Sequence, residues 1–149
     1  MDERKHGALK LVEQFCFYSY AVSREIIKRY KPILDEIGLT YTQYLTMIVL
    51  WEQETLTVKE LGGYLYLDSG TLTPLLKKLE EKGLVTRRRS AEDERNLVVA
   101  LTDEGRKLHE VAAAIPGKYR ELYRLSPDDL KAYQLSTQEF LQKLKEDGI

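Results

Sequence analysis

The chain has 149 residues, with 23 Lys and Arg set against 24 Asp and Glu for a net charge of −1, a length that fits one compact domain. Apolar residues at 43 % and charged residues at 32 % exclude a disordered chain or a membrane protein, and the near-zero charge means that any nucleic-acid binding must come from local clustering. One cysteine, Cys16, and two histidines, His6 and His109, exclude an internal disulfide framework and leave too few ligands for zinc. With no signal-peptide pattern and no long apolar run, the expectation is a cytoplasmic protein without metal or cofactor.

From Leu9 to Tyr30, Leu9, Val12, Cys16, Tyr20, Ser23, Ile27 and Tyr30 recur in steps of three and four, predicting one long helix with Cys16 mid-helix on its apolar stripe. A helix of about 30 Å is longer than one small core needs, so part of it is expected to pack on a second subunit. Pro32 predicts a break near Tyr30 and a short helix from Pro32 to Ile37, stopped by Gly38. Thr40 caps a further helix expected to turn Tyr44, Leu45, Ile48 and Val49 inward.

Thr57-Val58-Lys59-Glu60 fits a capping box opening a short helix with Val58, Leu61 and Leu65 inside. A turn at Tyr66 and Leu67 leads to a helix beginning between Asp68 and Thr71. Its inner face is Leu72, Leu75, Leu76 and Leu79, it ends at Gly83, and Pro74 is expected in or near its first turn. Leu84–Arg89 and Leu97–Leu101 are β-rich runs bracketing the polar stretch from Ser90 to Asn96, hence a hairpin with a long charged tip. Thr102 caps another helix, interrupted at Pro116-Gly117, and Ser126-Pro127 opens a last one carrying Leu130, Tyr133, Thr137, Leu141 and Leu144. The fold class is therefore mainly α with a small β-hairpin.

Two short helices joined by a tight turn can place the second in the DNA major groove. Its outer face offers Ser69, Thr71, Thr73, Lys77 and Lys78 behind the cap Asp68. The hairpin adds Arg87, Arg88, Arg89 and Arg95, and an arginine at the tip of a protruding wing suits a narrow, electronegative minor groove, where Asp93 could fix Arg95 by charge-assisted hydrogen bonds. A charge run alone is ordinarily a solvated face, and it is the helix pair with the hairpin that favours DNA. A lone cysteine on an apolar stripe is ordinarily a small buried hydrophobe, and a redox-sensitive thiol needs access and polar neighbours. Tyr20 lies one turn from Cys16, whereas Tyr30 is about 21 Å away along an unbroken helix and could approach Cys16 only across a dimer. No phosphate-binding glycine loop or nucleophile–base constellation supports catalysis.

Leu56-Thr57-Val58-Lys59-Glu60-Leu61, the stretch Leu67 to Glu80, Gly83-Leu84-Val85, and Asp93-Glu94-Arg95 followed by Leu101-Thr102 resemble the multiple antibiotic resistance regulator (MarR) family of bacterial winged-helix transcription factors. Phe15-Cys16-Phe17, Tyr20, Ser23-Arg24-Glu25, Tyr30-Lys31-Pro32 and the run Thr40 to Tyr44 resemble, within it, the organic hydroperoxide resistance repressors of Gram-positive bacteria. The resemblance implies a single domain over 1–149, in which 1–37 and 103–149 are dimerisation helices around a winged helix-turn-helix at 40–102. It further implies a homodimer on a pseudo-palindromic operator, Cys16 as peroxide-sensing thiol, and Tyr30 and Tyr41 of the other subunit as its partners, with Tyr20 nearby. Asp68, Ser69, Thr71, Thr73, Lys77, Arg87, Arg89, Asp93 and Arg95 form the DNA surface in that reading. With no second cysteine, an organic hydroperoxide would give a sulfenic acid that a small cellular thiol traps as a mixed disulfide, or a backbone nitrogen as a cyclic sulfenamide, or that oxidises further irreversibly. A repressor released by a small aromatic ligand and, less favoured, a thiol peroxidase are the alternatives.

Overall fold

The computed structural model describes residues 9–146 in two compact units, one ending at Ala113 and one beginning at Ala114. His6 lies outside the described residues. In the first unit a short 3-10 turn, Leu11–Glu13, precedes α1, Phe15–Asp35. The predicted helix start is thereby corrected. No Ser, Thr, Asp or Asn stands between Leu9 and Gln14 to cap a helix, and the Gln14 N–H closes on the Leu11 carbonyl at 3.1 Å. Cys16 is therefore the second residue of α1 and exposed, not mid-helix.

The break at Pro32 is corrected as well, since α1 runs through it to Asp35. Proline inside a helix costs about 3 kcal/mol, but Pro32 lies in the last turn, where Ile33 and Leu34 are almost wholly buried and each stabilises by about 1.5–3 kcal/mol. Burial wins. Gly38 then takes φ +69°, the left-handed conformation that turns the chain away.

Thr40 starts α2, Tyr41–Gln53, with a full capping box: Gln43 N–H donates to Thr40 Oγ1 (3.3 Å) and Thr40 N–H to Gln43 Oε1 (3.0 Å). Tyr44 and Val49 are buried as predicted, but Met47 and Leu50 are fully enclosed and Leu45 and Ile48 only partly. The helix meets α1 on one side and later elements on others, so its buried surface is wider than one stripe. Glu54 caps it at φ 62° and leads into β1, Thr55–Thr57, a strand absent from the prediction.

Thr57 begins α3, Val58–Leu65, with its own capping box to Glu60. Tyr66 at φ 55° makes the turn, and Asp68 caps α4, Ser69–Glu81. Pro74 is the sixth residue of α4, beyond the first turn, and the carbonyl it leaves without a helical donor belongs to Gly70. Leu72, Leu75, Leu76 and Leu79 are buried. Gly83, at φ +75°, ends the segment. β2, Val85–Arg89, and β3, Leu97–Leu101, form the predicted hairpin, and β1 joins the far side of β3 to give an antiparallel sheet ordered β1-β3-β2. Thr102 caps α5, Asp103–Ala112, its hydroxyl donating to the Gly83 carbonyl at 2.6 Å.

The second unit holds α6, Ile115–Tyr123, with Pro116 in its first turn, and α7, Pro127–Glu146. No residue of α7 is buried: Tyr133, Leu135, Phe140, Leu141 and Leu144 are all exposed. Among the described residues no helix is long and apolar enough to cross a membrane.

Candidate functional site

The outer face of α4 carries Ser69, Thr71, Thr73, Lys77 and Lys78, all exposed because the leucines take the inner face. Asp68 Oδ1 accepts the Thr71 N–H at 2.8 Å, and these bonds to Thr71 hold its carboxyl below the usual carboxylate range. The Thr73 hydroxyl is turned back to the Ser69 carbonyl (2.7 Å). Beside the α3–α4 turn lies a cleft of about 510 Å³ lined by Lys59, Asp68, Ser69, Thr73, Arg95 and Asn96 among others, so the start of α4 and the wing flank one opening.

At the wing tip Arg95 is 91 % exposed yet fixed: its backbone N–H (3.0 Å) and Nε (3.2 Å) donate to Asp93 Oδ1, and a terminal nitrogen donates to Oδ2 (3.4 Å). The guanidinium in turn holds the Asp93 carboxyl below its ordinary value. Arg89 is exposed and donates to the Glu94 carbonyl at 3.3 Å. Arg87 is placed differently. Its backbone N–H (2.9 Å) and a terminal nitrogen (3.2 Å) donate to the Glu80 carboxylate, its side chain is only 19 % exposed, and its Nε is buried without a partner. Arg87 thus ties the base of the wing to the end of α4, and Glu80, absent from the predicted residues, is the group that holds it.

The thiol and the tyrosines occupy the two ends of α1. Tyr30 packs in a tilted arrangement, 5.2 Å centroid to centroid from Tyr41 and 6.0 Å from Tyr44. Burial pushes the Tyr41 hydroxyl's pKa up, and burial together with Tyr41 does the same for Tyr44, so both remain neutral hydrogen-bonding phenols. Cys16 is fourteen residues from Tyr30 on one continuous helix, about 21 Å. Tyr20 is exposed, and its hydroxyl accepts from Arg24 at 3.0 Å, with the guanidinium 5.5 Å from the ring centroid. Phe15, Tyr18, Tyr20, Val22 and Ile27 give α1 an exposed apolar surface.

Lys82 and Gln43 are not among the predicted site residues. The Lys82 ammonium donates to the Gly38 carbonyl and to Gln43 Oε1 (3.4 Å), linking the end of α4 to the corner between α1 and α2. The Thr40-x-x-Gln43 spacing was a readable signal for the cap, but nothing local pointed to a lysine about forty residues on.

Helix, turn, helix and a three-stranded sheet ending in a charged hairpin define a winged-helix transcriptional regulator. Residues 28–111 match the family model described as transcriptional regulator SarA/Rot. The chain is 51 % identical over 142 residues to the organic hydroperoxide resistance transcriptional regulator of Bacillus subtilis, covering 95 % of this chain and 97 % of that one. It is 44 % identical over 141 residues to the HTH-type regulator SarZ of Staphylococcus saprophyticus, covering 95 % of each. Among solved structures, reduced AbfR bound to DNA superposes with a TM-score of 0.76 at 36 % identity over 94 % of this chain and 98 % of that one. Overoxidised AbfR bound to DNA gives 0.75 at the same identity and coverage. The chain belongs to the MarR family, among the regulators related to organic hydroperoxide resistance and SarZ proteins.

Proposed function

We propose that the protein is a dimeric repressor that binds a pseudo-palindromic operator and leaves it when an organic hydroperoxide oxidises Cys16. The observation that carries the reading is the unbroken α1. It holds the exposed Cys16 thiol about 21 Å from Tyr30, which packs on Tyr41 of α2, in one chain. An antiparallel pairing of two subunits through the apolar surface of α1, with α7 contributing, would bring each Cys16 to the partner's tyrosine pair. The name of the Bacillus subtilis relative agrees with this chemistry.

In this reading Ser69, Thr71, Thr73 and Lys77 enter the major groove, Arg95 enters the flanking minor groove, and Arg89 meets phosphate. Asp68 and Asp93 orient rather than contact, as Arg87 does through Glu80. The Cys16 sulfur attacks the terminal hydroperoxide oxygen, an S–O bond forms as the O–O bond breaks, and the leaving alkoxide takes the proton given up by the thiol and departs as the alcohol. A small cellular thiol then attacks the sulfenic sulfur, forming a mixed disulfide and releasing water. AbfR is found on DNA in both reduced and overoxidised forms, which supports reading the bulkier mixed disulfide as the releasing species. Cys16 reacts once per subunit, as a sensor and not as an enzyme, in a reducing cytoplasm.

The test is a mobility-shift titration at fixed salt on DNA upstream of the protein's own gene, with reduced protein, protein treated with an organic hydroperoxide plus a small thiol, and Cys16→Ser. Binding by reduced protein, release on treatment and retention by Cys16→Ser support the reading; release of Cys16→Ser by the same treatment sinks it. Peroxide consumed over many turnovers would make the protein a peroxidase instead. One observation favours a second reading, release by a small aromatic ligand: an apolar recess of about 240 Å³ lined by Ile27, Lys28, Leu34, Leu39 and Tyr41 among others. Release of Cys16→Ser by phenolic compounds would move it to the front.

A further inference from the structure

Lys82 is the residue at which α4 ends, and its backbone N–H reaches the Lys78 and Glu80 carbonyls. Its ammonium leaves the reading helix altogether. It donates to the carbonyl of Gly38, the left-handed residue of the corner, and to Gln43 Oε1, which also accepts the Thr40 N–H of the α2 cap. Between Thr40 and Gln43 stands Tyr41, packed against the Tyr30 ring. Two residues before Lys82, Glu80 grips Arg87 at the base of the wing. Within three residues, the end of α4 is joined both to the wing and to the tyrosine corner.

We infer that Lys82 is the positioning residue that couples the Tyr30–Tyr41 corner to the recognition helix, through its bonds to Gly38 and Gln43. The inference rests on the sensing role proposed for Cys16 and the tyrosines. A group added at the tyrosine pair displaces the start of α2. Hydrogen bonds are directional and short-ranged, so the Lys82 bonds either carry that displacement into α4 or break and release its end. Both outcomes alter where α4 and the attached wing meet DNA. A physical linkage of this kind is reciprocal, so operator binding must in turn steady the corner.

The test replaces Lys82 by Met, which keeps the stem and removes the donor, and by Arg, which restores one. Operator affinity is measured by fluorescence anisotropy across a salt series, before and after treatment with cumene hydroperoxide and a small thiol. The parent is expected to lose affinity about a hundredfold on treatment, while the loss for Lys82→Met shrinks about tenfold and Lys82→Arg recovers the parental ratio. Reduced Lys82→Met should bind within about threefold of the parent with an unchanged salt slope; a slope smaller by about one would make Lys82 a phosphate contact and overturn the inference. An equal loss in parent and Lys82→Met overturns it too, leaving the sensing reading intact, whereas a parent indifferent to treatment overturns both. On the parent alone, operator binding should slow hydrogen exchange at the Thr40 and Gln43 amides, and unchanged exchange there counts against the coupling whether or not the variants fold.

Discussion

Asp93 and Arg95 form a closed unit at the wing tip, the carboxylate accepting both the backbone N–H and the guanidinium of a residue two places on, at 3.0 to 3.4 Å. A side chain 91 % exposed would otherwise sample many rotamers, and ordering it on binding costs up to about 2 kcal/mol. The free protein has already fixed it. Arg95→Ala should therefore weaken operator binding by about 1–3 kcal/mol and lower the salt slope by about one. Asp93→Asn should cause part of that loss, and the double variant less than the sum, because both act through the same guanidinium. Anisotropy titrations at several salt concentrations measure all three, and strict additivity would count against preorganisation.

Neighbouring glycines in α3 make opposite predictions. A Cβ on Gly62 would stand 2.6 Å from the Leu67 carbonyl oxygen, a backbone atom that cannot swing aside because the Leu67 N–H is bonded to the Gly62 carbonyl at 3.1 Å. Gly63 faces open space. Urea unfolding should show Gly62→Ala destabilised by about 1–3 kcal/mol, and Gly63→Ala stabilised by about 0.5–1 kcal/mol through the helix entropy that glycine forfeits. Gly62→Ala as stable as the parent would mean that the turn between the two helices yields easily.

Much of this arrangement was legible because helix starts are local. Thr40, Thr57, Asp68 and Thr102 each sit where a short oxygen acceptor precedes an apolar period, and all four cap the helices foreseen there. The misreadings at Pro32 and β1 have their cause in tertiary contacts. Pro32 looks like a stop until Ile33 and Leu34 are seen buried, and β1 is three residues whose extended form comes from pairing Leu56 with Val99. Cys16 reads as mid-helix since the apolar period runs smoothly from Leu9 into α1, and periodicity says nothing of an uncapped 3-10 turn. Glu80 and Lys82 carry no local sign of what they bind; their partners lie seven and forty-four residues away, beyond any local pattern.

Acid should loosen the winged unit in a definite order of sign. The folded-state pKa values of Asp68, Glu80 and Asp93 are all lowered, by bonds from Thr71, Arg87 and Arg95 respectively. A group whose folded pKa is depressed contributes stability that is complete above its unfolded value, about 3.9 for Asp and 4.3 for Glu, and is lost as pH falls through the lower folded value. Thermal unfolding should be insensitive to these groups between pH 6 and 8 and decline below about pH 4. Glu80→Gln should flatten that decline while lowering stability near neutrality, since the Arg87 guanidinium then lacks a charged partner. A decline as steep as the parent's would mean the Glu80–Arg87 pair contributes nothing to it.

The exposed apolar surfaces of α1 and α7 bear on assembly. Leu135 and Leu144 on α7 are 53 % and 55 % exposed, and Phe15 and Tyr20 on α1 are 71 % and 60 %. Large apolar side chains exposed in such number on one helix are uncommon on soluble monomers and mark association sites. If α7 lines the dimer interface, replacing a buried leucine by a charge removes about 1.5–3 kcal/mol of apolar burial and adds the desolvation of a carboxylate. Leu144→Glu should thus raise the dimer dissociation constant by at least about tenfold. Glu146, on the same helix and already charged, supplies the control as Glu146→Gln. Sedimentation velocity over a dilution series separates the two, and because both half-sites must be held at once, operator affinity should fall with the dimer in Leu144→Glu alone. A parental sedimentation profile for Leu144→Glu would remove this part of α7 from the interface, leaving α1 as the surface to test next.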